Sequence, residues 1–159
     1  MQRAFDGQAA FGLLLAAVVG VAVVLIVRSR EPPLRTLLWG AFAASVVCVV
    51  AITLSPSPGT PSGAELVPFT RLDDAAGRAQ AVANGVLTAP SGLLLALLER
   101  RFDRLVIVGA ALCCGVELLQ LVLPIGRIAA TEDALLTTAG FVLAAVVGRA
   151  VTQFRRPAR

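Results

Sequence analysis

The chain has 159 residues, 57% of them hydrophobic and only 15% charged, with a mean hydropathy of +0.84, whereas a soluble domain carries about a quarter charged residues. At about 20 residues per crossing this length holds roughly four to six membrane spans and no separate soluble catalytic domain. The net charge of +4 does not argue for nucleic acid as a partner, because the arginines cluster beside apolar runs and read as orientation signals.

Five apolar runs predict an all-α membrane protein with five transmembrane helices. Ala9 to Val27 is uncharged and stops at Arg28, Arg30 and Arg35, with Pro32 and Pro33 between them. It is too long for a signal-peptide core and lacks a small-residue cleavage site, so it reads as a retained span. Thr36 to Leu54 is the second run and ends at the Pro- and Gly-rich stretch Ser55 to Gly63. Ala81 to Leu98 is the third, with a kink expected near Pro90. Leu105 to Leu123 is the fourth, closed by Pro124 and Gly126; the fifth starts after Glu132 and Asp133 and runs to about Val151. Arg149 is placed to snorkel to the interface.

Arginine placement orients the spans. Ten arginines (Arg28, Arg30, Arg35, Arg100, Arg101, Arg104, Arg149, Arg155, Arg156, Arg159) fall on one side, against Arg3, Arg71, Arg78 and Arg127 on the other. The positive-inside rule then puts the N-terminus outside and the C-terminus in the cytoplasm. The lipid bilayer is thus the expected partner, and residues 152–159 form a basic cytoplasmic tail.

The sequence contains no Lys, His or Tyr. This excludes Ser-His-Asp and Cys-His catalysis, histidine metal sites and lysine Schiff bases. Cys48, Cys113 and Cys114 lie inside apolar runs and read as small hydrophobes. Asp73 and Asp74 read as a solvated face or a helix start rather than a metal pair. No cofactor, no metal and no catalytic residue is assigned.

The polar residues within the spans gather near their external ends. Gly109, Cys113, Glu117 and Gln120 form one stripe on the fourth span, and Asp133, Thr137, Gly140, Ala144 and Gly148 another on the fifth. Asn84, Thr88 and Ser91 form a third. Small residues permit close helix approach. If the stripes face one another, Glu117, Gln120, Asn84, Asp133 and the loop residue Arg127 meet in one pocket open to the outer leaflet. Glu117 lies roughly 9 Å below the end of its run, where an unpartnered carboxylate is costly.

These residues carry a resemblance. From about Glu65 to Gly148 the chain resembles the VanZ-like family of bacterial integral membrane proteins. It is similar in Pro68-Phe69, in the Asn84-Gly85 helix with Pro90 and Gly92, in the Glu117/Gln120 helix, in the Gly126-Arg127 turn, and in the Asp133 helix with Gly140. Two departures are Thr137, where the family commonly has Asn, and the acidic residue that the family tends to carry between the arginine and the aspartate, which here is Glu132, immediately beside Asp133. The resemblance divides the chain into two N-terminal spans with the start of the external loop (1–64), a VanZ-like region with three spans (65–151) and the tail. It implies a multi-pass protein of the bacterial cytoplasmic membrane, similar to one associated with resistance to teicoplanin-type glycopeptide antibiotics.

Three functions are compatible with the residues. The first is a non-enzymatic protein whose outer pocket engages an anionic lipid-linked or glycopeptide ligand through Arg127, with Glu117, Gln120, Asn84 and Asp133 shaping the site. The second is an intramembrane enzyme acting on a lipid head group, with Glu117 as general acid or base. The third is a small transporter using Glu117 as a proton site. The sequence leaves the oligomeric state open.

Overall fold

The structure is a computed structural model and describes residues 16–27, 32–56, 63–69, 75–99, 101–123, 125–126 and 128–154. Among the described residues, four stretches are long and apolar enough to cross a membrane: α2 (Pro33–Thr53), the helix pair α3 (Ala75–Leu87) and α4 (Ala89–Leu98) taken together, α5 (Phe102–Val122), and α6 (Thr131–Phe154) over Thr131–Gln153. The fifth expected span is represented by the shorter apolar helix α1 (Ala16–Val27). The remainder of its run, Ala9 to Leu15, lies outside the described residues, as do Arg28, Arg30, Arg71, Asp73, Asp74, Arg100, Pro124, Arg127 and residues 155–159.

The helix boundaries follow local chemistry. Pro33 opens α2 at its first helical position, where the missing N–H costs nothing, and the Thr36 hydroxyl donates back to the Pro32 carbonyl at 3.2 Å. The third span starts at Ala75, earlier than the apolar run at Ala81 indicated, because Gly77, Arg78 and Gln80 continue the helix beyond the apolar segment. Its break falls at Thr88, two residues before Pro90, which lacks a donor and crowds the preceding turn. The last helix begins at Thr131 rather than after Asp133, so Glu132 and Asp133 both lie in its first turn, where carboxylates favour the positive end of the helix dipole.

One element departs from the all-α expectation. Residues Gly63–Glu65 (β1) and Ile128–Ala130 (β2) pair as two parallel strands, with Gly63 opposite Ile128, Ala64 opposite Ala129 and Glu65 opposite Ala130. Gly126 enters this pair with a φ of 66°, a conformation that glycine adopts without steric cost.

α2, α3–α4, α5 and α6 run up and down, so their ends collect at two poles. At one pole Arg35 donates to the Leu98 carbonyl and the Arg149 guanidinium lies 5.6 Å from the Phe102 ring centroid. The other holds Thr53, Asn84, Gln120, Asp133 and the strand pair.

Between the poles α6 packs chiefly on α4 and α3. A methyl group on Gly140 would overlap the Gly85 carbonyl, and one on Gly92 would overlap the Phe141 carbonyl, so this crossing exists only because both helices present glycine there. Phe141 is fully buried over Leu95, Ala96, Leu105 and Ala145, and its ring fills the space above Gly109. Large apolar side chains such as Leu143 (66% exposed) face outward along the spans. In water so much apolar surface would be untenable, whereas in a bilayer it is the lipid-contacting face.

Candidate polar site at one end of the bundle

The polar residues near the strand-pair pole are positioned by four helices. Gln120, in the last turn of α5, is 5% exposed. Its Nε2 donates to the Thr53 carbonyl at 2.7 Å. That carbonyl sits in the final turn of α2 and has no acceptor role within its own helix, so the Gln120 amide closes the end of α2.

Asn84 on α3 is 7% exposed and works in both directions: Nδ2 donates to Asp133 Oδ1 at 2.5 Å, while Oδ1 accepts from Gln80 Nε2 at 3.1 Å. The result is a relay from Gln80 through Asn84 to the first turn of α6. One turn deeper, the Thr88 hydroxyl at the α3–α4 break donates to the Thr137 carbonyl at 2.5 Å. The Thr137 hydroxyl turns to its own helix and donates to the Asp133 carbonyl at 2.7 Å. Thr137 is therefore satisfied within α6.

Glu117 on α5 accepts the Ala130 N–H at 3.1 Å, which ties the last residue of β2 to the side of α5. Nearby, Glu132 is 7% exposed and its Oε2 accepts the Phe69 N–H at 2.7 Å. Phe69 has a φ of 65°, which a non-glycine residue adopts only when its surroundings hold it. Glu132 provides such a hold and fixes the segment after β1 to the start of α6.

These side chains enclose one cavity of about 30 Å³, lined by Thr53, Gln80, Asn84, Thr88, Cys113, Glu117, Gln120, Asp133 and Thr137, with Val49, Leu112 and Val116 as its apolar wall. At roughly 10–15 Å³ per molecule this is room for two or three waters. Among the described residues that line it, both charged groups are carboxylates.

Of the residues singled out in the sequence, Asn84, Glu117, Gln120 and Asp133 share this cavity; Arg127 lies outside the described residues. Ser91 does not join them. Its hydroxyl lies about two turns beyond Asn84 and meets that of Ser45 on α2 at 2.9 Å. The sequence predicts α2 as a span but does not point to its part in this site. Thr53 takes part through a backbone carbonyl, which leaves no side-chain signature. Gln80 was within reach, four residues before Asn84 on one helix face. Glu132 was noted only as a neighbour of Asp133.

No curated protein and no solved structure matches the chain. Residues 42–152 match the VanZ/LLP1 family, a stretch that holds every residue lining the cavity and begins within α2, the helix that contributes Val49 and Thr53. With more than half of its length matched, the chain belongs to the VanZ/LLP1 family of proteins.

Proposed function

We propose that this protein spans the bacterial cytoplasmic membrane five times, with its N-terminus outside and its C-terminus in the cytoplasm. In this reading its polar pole faces outward and engages an anionic lipid-linked or glycopeptide ligand, which alters susceptibility to teicoplanin-type antibiotics. The observation that carries the reading is the convergence of Asn84, Glu117, Gln120 and Asp133 on one cavity, at the pole opposite Arg35 and Arg149. The excess of arginine on that opposite side supports the orientation.

A cavity with water-sized room does not swallow a head group, so the ligand sits at its mouth. In this reading Arg127 is the charged fork toward phosphate or carboxylate, and Glu117 and Asp133 set the charge of the site. Arg127→Ala and Glu117→Ala are expected to insert normally and to abolish the susceptibility phenotype conferred by expressing the protein. An unchanged phenotype in both variants would reject this function.

A second reading is favoured by the cavity itself. Two carboxylates beside space for a few waters, within a membrane bundle, suit a proton site in a small coupled transporter. Proteoliposome flux driven by a pH gradient should then fall on Glu117→Gln, and flux indifferent to that change would remove the reading.

A further inference from the structure

Glu117 belongs to two cavities. Its inner side faces the polar site, and its outer side faces a separate crevice of about 300 Å³ between α5, the start of α6 and the strand pair. This volume lies at the lower end of the range for small-molecule sites, roughly 300–1,000 Å³. Glu117 and Thr131 are the polar side chains in a wall that is otherwise apolar.

The shape of the crevice has a simple origin. Cys114, Leu118 and Leu121 follow an i, i+4, i+7 course and make a straight apolar rib along α5. Opposite this rib, Ala129, Ala130 and Ala134 leave a trough because their side chains end at Cβ, and Ala64 and Leu66 line it at the strand end. Leu118 and Leu121 point away from the bundle and are exposed. They belong to a stretch apolar enough to span a membrane, so the medium that meets them is lipid hydrocarbon. Leu121 lies within the last turn of α5 and Cys114 about two turns deeper, which spans roughly 10 Å from the head-group boundary inward.

We infer that this crevice seats one acyl chain of a bilayer phospholipid, lying along the Cys114–Leu118–Leu121 rib. The exposed leucines of the rib lie on an apolar span, so the occupant within reach is the hydrocarbon chain of a neighbouring bilayer lipid, of which phospholipid acyl chains are the bulk. The chain would pack against the outer side of Glu117, whose carboxylate already holds the Ala130 N–H of the strand that forms the trough. This seat does not depend on the ligand proposed for the polar pole.

The test uses the full chain in phosphatidylcholine nanodiscs containing a small fraction of phosphatidylcholine with a diazirine in one acyl chain. After irradiation, adducts are mapped by peptide mass spectrometry. The expected result is enrichment of about tenfold at Cys114–Leu121 and Ala134 over Leu143 and Val147, lipid-facing positions elsewhere on α6. Ala134→Phe should abolish the enrichment while leaving adducts at Leu143 and Val147 unchanged. If that variant fails to fold, Ala64→Phe, on the strand side and outside the helices, should do the same. Uniform labelling, or enrichment indifferent to both fillings, would overturn the seat. Loss of crevice adducts on adding an isoprenyl phosphate equimolar with the probe would overturn the acyl-chain assignment. Because the readout is lipid labelling in a drug-free system, its outcome is separate from that of the susceptibility assay.

Discussion

The Asn84 amide donates to the Asp133 carboxylate and so joins α3 to the first turn of α6. Both residues line the polar cavity, and the glycine crossing of the same two elements involves Gly85, the next residue on α3, and Gly140, about two turns further along α6. The polar contact and the close backbone approach therefore act together: one sets the register, the other the distance.

Removal of the amide should cost stability. Asn84→Ala leaves Asp133 without that donor in a largely buried position, and a loss of about 1–3 kcal/mol is expected. Reversible unfolding of the purified protein in bicelles would measure it. Wild-type stability in Asn84→Ala would mean that the contact does not hold α3 to α6.

Two glycines should respond oppositely to the same substitution. Gly140→Ala places a methyl group into the Gly85 backbone, an overlap expected to cost at least about 1–3 kcal/mol or to prevent folding. Gly115 on α5 has nothing within 4 Å of an added Cβ. Gly115→Ala should therefore be neutral or stabilising by about 0.5–1 kcal/mol, because it removes the entropic cost of a helical glycine. Paired thermal melts would read the contrast.

The Glu132 hold on Phe69 makes a local prediction. Glu132→Ala removes the acceptor for the Phe69 N–H, and the segment 66–69 should lose amide-exchange protection while α4 and α5 keep theirs. Phe69→Gly in the same background relieves the positive φ and should leave α4 and α5 equally unaffected. Unaltered exchange at Phe69 in Glu132→Ala would count against the contact.

At the arginine pole, Phe102→Leu keeps an apolar side chain but removes the ring beneath Arg149. Arg149 is partly buried, so the expected loss is about 0.5–2 kcal/mol, between the values of a cation–π contact at an exposed and at a desolvated site. Equal stability of Phe102→Leu and wild type would assign the contact no weight.

Helix content and the polar site were legible to different degrees, for physical reasons. Long apolar runs such as Leu105 to Leu123 announce a span because the bilayer demands them, and the structure returns α5 within a turn of that reading. Glu117, Gln120, Asn84 and Asp133 stood out because amides and carboxylates within or at the edge of such runs are expensive. The strand pair did not stand out. Gly63–Glu65 and Ile128–Ala130 are three residues each, too short for any alternation, and they form only because the helices bring distant parts of the chain together. The contribution of Thr53 was hidden because a backbone carbonyl looks the same in every residue.

The central claim is that α3 and α6 meet at Asn84 and Asp133 beside the polar cavity, and disulfide trapping in native membranes tests it most directly. In a background with Cys48, Cys113 and Cys114 replaced by Ala, the pair Asn84→Cys and Asp133→Cys should cross-link rapidly under mild oxidation. The pair Val86→Cys and Asp133→Cys, with Val86 on the exposed face of α3, should not. Equal rates for the two pairs, or no cross-link in either, would contradict the account.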